Sequence, residues 1–355
     1  MLAAPQVHGP ELTHDDVMTT RPPSPSPPRP GLSWDASGLL LGAVYALPAA
    51  VLVFNDVSRG LALAVGTIPA AVAGLAPTRR ARRKTAVLGV FVGVPILLGS
   101  ALAAVPWLAV VALFFLAIGA VVLARRSGPL GMVVLNLGVP MVAVGFSYDD
   151  IGTGATLALV MVAGSAYACL VSLLWPESPV PTESAQPHAS PPPLAYGVRL
   201  GLAGATAAAI GFGLDLDHVG WACVAALIVM RPSAEMQELR SVGRLLSVLA
   251  GALVGVAVAR TEPPTIVYAV VILAAVAVLA ATRASRWYIT PAFTTLLVFL
   301  LLLYADPASA PHRLNERVAE TAVGVGLAYL FGLVLPRLAA HWRGADRPAA
   351  ADRAL

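Results

Sequence analysis

Residues 215–255 read DLDHVGWACVAALIVMRPSAEMQELRSVGRLLSVLAGALVG, and the class of the fold is decided inside them. Asp215, Asp217 and His218 give way at Trp221 to a run without a charge. The run breaks at Arg231-Pro232, and beyond a short polar turn a second run carries a single charge, Arg244. A bilayer crossing needs about 20 mostly apolar residues. Two apolar runs joined by a basic loop therefore read as neighbouring membrane helices of opposite direction.

The rest of the chain repeats this texture. Of 355 residues 58% are apolar and 12% charged, against roughly 45–50% and about 25% in soluble domains. The formal charge of +4 comes from arginines in short loops, which is a membrane-orientation pattern and not a nucleic-acid-binding face. Spans are expected near 38–53, 57–76, 85–104, 107–124, 129–147 and 153–175, then near 196–214, 218–231, 242–259, 264–281, 288–304 and 315–335. The expectation is an all-α polytopic membrane protein of about twelve helices. Its parts would be a disordered cytoplasmic tail over 1–35, a first six-helix unit over 36–176 and a Pro-rich linker over 177–194. A second six-helix unit over 195–336 and a tail over 337–355 complete it. Cys169 and Cys223 lie far apart within apolar runs and read as small buried hydrophobes.

Counting basic residues by loop orients the chain. With the N-terminus inside, nineteen of the 23 Lys and Arg fall on the inner side, and only Arg59, Arg260, Arg313 and Arg317 fall outside. That asymmetry predicts both termini in the cytoplasm, at the plasma membrane. The cluster Arg79, Arg80, Arg82, Arg83 and Lys84 reads as an orienting signal and lipid-facing anchor. The two halves also align at an offset of 162 residues, which sets Arg82 on Arg244, Gly89 on Gly251 and Gly93 on Gly255. Near their ends the offset becomes 160, setting Gly164 on Gly324. An even number of spans per half makes the two repeats parallel. Pro69 falls one position from the counterpart of Pro232, so the second span of each half is expected to be interrupted at a similar depth. The freed backbone groups would line a transport cavity.

Several features together resemble the fusaric acid resistance protein-like family, which includes aromatic acid exporters and is related to plant aluminium-activated malate channels. They are H-x2-W (His218, Trp221), R-P-S (Arg231, Pro232, Ser233), R-x3-R (Arg240, Arg244), G-x3-G (Gly251, Gly255) and R-x2-E-x3-G (Arg317, Glu320, Gly324). The resemblance covers about 140 residues, Ala195 to Pro336, with Gly220 and Arg231 as departures from the usual pattern. It implies a transporter that exports small organic anions, aromatic carboxylates or related toxic compounds, driven by the proton gradient. A passive anion channel and a non-transporting scaffold remain alternatives.

Candidate site residues follow from charge at depth. Arg199, Arg231 and Arg244, with Trp221, are candidate substrate contacts, a cationic lining for a carboxylate. Snorkelling to the headgroups is the plainer role for such arginines. His218, Glu316 and Glu320 are proton-coupling candidates, since Glu316 and Glu320 share one helix face and histidine is a residue type suited to carrying protons. Against this, acids at a helix start pair ordinarily with Arg313 and Arg317. Gly89, Gly93, Gly251 and Gly255 are expected to let helices approach closely. The only lysine, Lys84, is not preceded by a phosphate-binding loop, and no HExxH or GxSxG occurs. The reading therefore contains no catalytic residue, no metal and no cofactor. The expected partners are the bilayer and a small organic anion, not nucleic acid, with a homo-oligomer left open.

Overall fold

The computed structural model of the protein describes residues 32–177, 192–285 and 289–345. The Pro-rich stretch before residue 32, most of the linker and the end of the C-terminal tail lie outside the described residues.

The described residues form twelve apolar helices and no strand. In chain order they are α1 (Ala36–Leu52), α2 (Val57–Ala73), α3 (Arg79–Ala103), α4 (Pro106–Ser127), α5 (Leu130–Gly145) and α6 (Ile151–Leu174). There follow α7 (Leu194–Gly213), α8 (Gly220–Val229), α9 (Glu235–Arg260), α10 (Thr265–Ala281), α11 (Thr290–Ala305) and α12 (Pro307–Ala339). Six of them, α3, α4, α6, α7, α9 and α12, are long and apolar enough to cross a membrane by themselves. Their outward faces carry large apolar side chains, among them Val94, Phe115, Leu159, Leu170 and Leu246, each more than half exposed. The interior is built largely of alanine and glycine. That inversion of the soluble pattern is what lipid as solvent demands: no hydrophobic force pulls helices together there, so close packing of small residues holds them. This is a multi-pass membrane protein.

Helix limits follow local chemistry. Asp35 caps α1, accepting from the Ser37 amide at 3.0 Å and its hydroxyl at 2.6 Å. Asp56 and Asp150 cap α2 and α6 in the same way. The segment before α1 is tied down: Ser33 and Ser285 exchange hydrogen bonds, the Asp35 amide donates to Ala281 O, and Arg283 pairs with Asp35 at 3.0 Å. At the other end, α12 passes through a π-helical turn, Leu330–Val334, and its helical course runs on to Ala345.

Neighbour relations set the architecture. α1 packs on α2 and α10, and α7 packs on α8 and α4. α2 crosses α6 and touches α11, while α8 crosses α12 and touches α5. Gly164 of α6 lies directly on the backbone of Gly66, and Gly324 of α12 lies on Ala222 and Ala226 of α8, contacts that leave no room for a side chain.

Two expectations need correction. α2 is not interrupted: it stays helical through Pro69 to Ala73, whereas α8 ends at Val229, short of Pro232. A proline removes one backbone donor, a loss the helices here tolerate: α1 runs through Pro48 and α3 through Pro95 in the same way. Arg82 is not a lipid-facing anchor. It is fully buried and donates to five carbonyls: Ala76 at 2.6 Å, Pro77 at 3.2 Å, Ser172 at 2.8 Å, Trp175 at 2.6 Å and Pro176 at 2.7 Å. It fastens the α2–α3 loop to the free carbonyls at the end of α6.

Candidate functional site

The second half of the chain concentrates charge inside the bundle. α8 is only ten residues long, about 15 Å, roughly half the thickness of a bilayer core. Trp221 in its first turn is buried and serves as a hub. The His218 ring stacks on it with centroids 4.1 Å apart and planes 17° from parallel. The Arg317 guanidinium carbon lies 4.3 Å from the ring centroid, and Phe299 of α11 stacks at 6.1 Å. A cation over a desolvated indole is worth about 2 kcal/mol, which locates Arg317 without neutralising it.

Above this hub the α7–α8 loop is pinned to α12. The His218 amide donates to Glu316 Oε1 at 3.0 Å, and His218 Nδ1 lies 3.2 Å from the same oxygen. Arg313 donates to Asp217 at 2.7 Å and to Glu316 at 3.4 Å. Asp217, His218 and Glu316 thus hold one potential ligand atom each within 4.8 Å of one another. Their sequence spacing gives no hint of this grouping. The Arg313 cation already occupies its mouth, so the arrangement is an ionic latch.

Below the latch the pairing stops. Glu320 is 3% exposed, and neither of its carboxylate oxygens meets a hydrogen-bond donor. Arg317 and Arg244 are 9% and 6% exposed, and the Nε of each is buried without a partner. Arg317 and Glu320 belong to the stripe of α12 that Gly324 sets against α8, and Arg244 belongs to α9, a helix that also packs on α12. The expected Glu316–Arg313 pair is present. The expected Glu320–Arg317 pair is not made, because the Arg317 side chain is turned to Trp221.

The inner end of α8 is closed by side chains. Met230 O accepts from the Tyr196 hydroxyl and from Arg231 Nη1, both at 3.1 Å, and Ile228 O accepts from Arg240 at 3.4 Å. Gln237 reaches into the π-helical turn of α12 and donates to Ala328 O at 2.6 Å, in space left by Gly332. Arg199 donates to Gly332 O at 3.4 Å. So Arg199 and Arg231 cap freed carbonyls at one end of the half-bundle, and no hydrogen bond among the described residues joins them to Arg244. The carbonyls expected to line a cavity are occupied. Gly251 and Gly255 of α9 bring that helix against Ala292, Thr295 and Phe299 of α11, while Gly89 and Gly93 of α3 bring theirs against α6.

Arg317 is the residue that sequence reasoning undervalued, as a mere partner for acids. Its signal was positional: 317, 320/321 and 324 fall on one helical stripe, and Gly324 marks that stripe as the one facing α8. A separate apolar groove of about 800 Å³ lies between α3, α4 and α5, lined by residues such as Val94, Phe115 and Val139. None of the charged residues borders it.

Residues 206–331, from α7 through the π-helical turn of α12, match the model of the fusaric acid resistance protein-like family. The resemblance read from Trp221, Arg244, Arg317, Glu320 and Gly324 thus holds over the segment that carries the buried charges. No curated protein and no solved structure matches the chain.

Proposed function

We propose that this protein is a twelve-span plasma-membrane transporter that exports small organic anions, aromatic carboxylates in particular, with both termini in the cytoplasm. The observation that carries the reading is Arg244, buried inside an apolar bundle with no hydrogen-bond partner for its Nε among the described residues. A charge at depth costs about 2.5–3.5 kcal/mol, and an anion that visits the site relieves that cost. The family match over residues 206–331 supports the same class of activity.

The two six-helix units act as parallel repeats. Each contact named for α1 and α2 recurs when six is added to the helix numbers, with α1 on α10 answering to α7 on α4. Gly66 and Gly164 lie 160 residues before Ala226 and Gly324, and both pairs make the same crossing. Trp221 and Arg244 contribute to the substrate path, with Arg231 and Arg199 at its inner mouth. His218, Glu316 and Glu320 form a file of proton-accepting groups that leads inward from the outer latch, Glu320 one helical turn below Glu316.

The test is accumulation of labelled aromatic and aliphatic carboxylates in cells with and without the protein, before and after collapse of the proton gradient. The expected result is lower accumulation of the aromatic acids, abolished with the gradient. Equal accumulation of every anion would remove the reading.

A further inference from the structure

The apolar groove of about 800 Å³ between α3, α4 and α5 plays no part in the anion path, and its shape follows from where each helix is fastened. α3 is drawn to α6, with Gly89 on Met161 and Ser165 and Gly93 on Ala158, while α4 is drawn to α7, with Gly197 on Val121 and Gly201 on Phe114. α5 closes the back of the gap. Its C-terminal end meets α3 where Gly145 lies on Gly99, and its N-terminal end meets α4 where Gly131 lies on Leu123 and Ala124. What remains is a slot between α3 and α4 with Val134, Gly138 and Val139 of α5 as its floor. Gly119 of α4 faces open space there, with no atom within 4 Å of where a side chain would begin. Both walls end in charge. On α3 the lining residues Leu98 and Phe91 lead in steps of two helical turns to Lys84, and on α4 Ala112 and Gly119 lead in the same steps to Arg126. Lys84 and Arg126 are exposed, and neither enters an ion pair among the described residues. At about 1.5 Å per residue each lies about 30 Å from the turn that joins α3 to α4, so the two are level. That depth equals the thickness of a bilayer core, about 30 Å, and puts both cations at the height of lipid phosphates.

We propose that this slot holds one anionic phospholipid, with an acyl chain lying along α5 between α3 and α4 and its phosphate at Lys84 and Arg126. The slot runs about 18 Å along α3 from Val90 to Leu102, somewhat more than half the bilayer core, which is the reach of a chain from one leaflet. It opens to the lipid side, where Val94 and Phe115 are more than half exposed. Its lining residues are all apolar, so it suits a hydrocarbon chain and not a carboxylate. The selectivity lies at the basic end. Arg126 offers a fork of donors and Lys84 a point charge to the phosphate oxygens, and basic groups beside membrane helices attract anionic headgroups. A zwitterionic lipid would bring its own cation towards these two. The basic end also favours a lipid over an apolar helix of a second copy. The lipid fills the gap that α3 and α4 leave by packing away from each other, and the site stands apart from whatever the second half moves.

Native mass spectrometry of the purified full-length chain, equilibrated with equal amounts of phosphatidylglycerol and phosphatidylcholine of the same acyl chains, tests this. The expected spectrum retains one phosphatidylglycerol per chain, at least tenfold over phosphatidylcholine. Lys84→Gln combined with Arg126→Gln should abolish the preference, whereas Arg125→Gln, which removes an exposed charge one position off the slot-facing stripe, should keep it. Gly119→Phe, which has room to fill the slot, should lower phosphatidylglycerol retention at least tenfold. Glycerol phosphate, which has the charge without the chains, should not displace the lipid. Equal retention of the two lipids by the wild type, an Arg125→Gln effect as large as that of the pair, full retention in Gly119→Phe, or displacement by glycerol phosphate would overturn the assignment. A second measurement needs no variant: phosphatidylglycerol with a photoactivatable diazirine in its acyl chain, cross-linked in proteoliposomes and mapped by peptide mass spectrometry. It should label Phe91, Val94 and Phe115 above other outward-facing residues such as Leu159 and Leu246. Even labelling of all five, or a lipid-free dimer joined through Phe115, would also overturn the assignment.

Discussion

Arg82 and Arg244 are both buried arginines in the first half of a long helix, and they have opposite fates. Arg82 is buried among five carbonyl acceptors, whereas the Arg244 Nε has no hydrogen-bond partner among the described residues. Arg82→Met should cost about 3–5 kcal/mol, because the loop and helix-end carbonyls lose their donors while buried. Arg244→Met should leave the thermal midpoint in detergent unchanged or raise it, since replacing an unpartnered buried charge by an apolar side chain is neutral or favourable. Equal losses in the two variants would show that Arg244 has a structural partner after all. Nothing local separates the two arginines in the sequence: three of the acceptors of Arg82 lie about 90 residues away, on main-chain oxygens that every residue type possesses. Glu320 and Arg317 were misleading for the opposite reason. Their i,i+3 spacing predicts a pair, and a tryptophan on another helix takes the arginine.

Among the helices, α8 and α12 show how far pattern alone reaches. The short span opening at Trp221 and its break before Pro232 were legible as an apolar run too brief for a bilayer, and the structure ends α8 at Val229. Pro69 gives the same local signal in α2, yet that helix continues, as do α1 through Pro48 and α3 through Pro95, so a proline alone does not mark a break in this chain. Gly324→Ala should cost about 1–3 kcal/mol by driving a methyl group into Ala222 and Ala225 of α8, read as a lower thermal midpoint in detergent. The α1 entry responds to pH. The Ser37 hydroxyl hydrogen bond, aided by Arg283, holds the Asp35 carboxyl below its ordinary value despite partial burial. A depressed carboxylate stabilises the folded form fully above the unfolded value of about 3.9. That contribution is lost as pH falls through the lower folded value. Amide exchange at the start of α1 should therefore accelerate in that acid window in the wild type, and an Asp35→Asn variant should show no such step.

At the scale of the whole molecule, twelve apolar helices, their order and the short eighth one were readable from apolar run lengths. Which helices touch was not readable, and that decides where charge can be buried. Reporter fusions check the orientation: tags at residues 1 and 355 should both report cytoplasm, and insertions in the 214–217 turn should report the outside. The central claim is that an unpartnered cation in the second half binds the anion that is moved. The most direct measurement is labelled benzoate flux from proteoliposomes carrying equal amounts of wild-type chain or Arg244→Ala. The account predicts at least a tenfold slower flux in the variant at equal insertion; equal flux would contradict it.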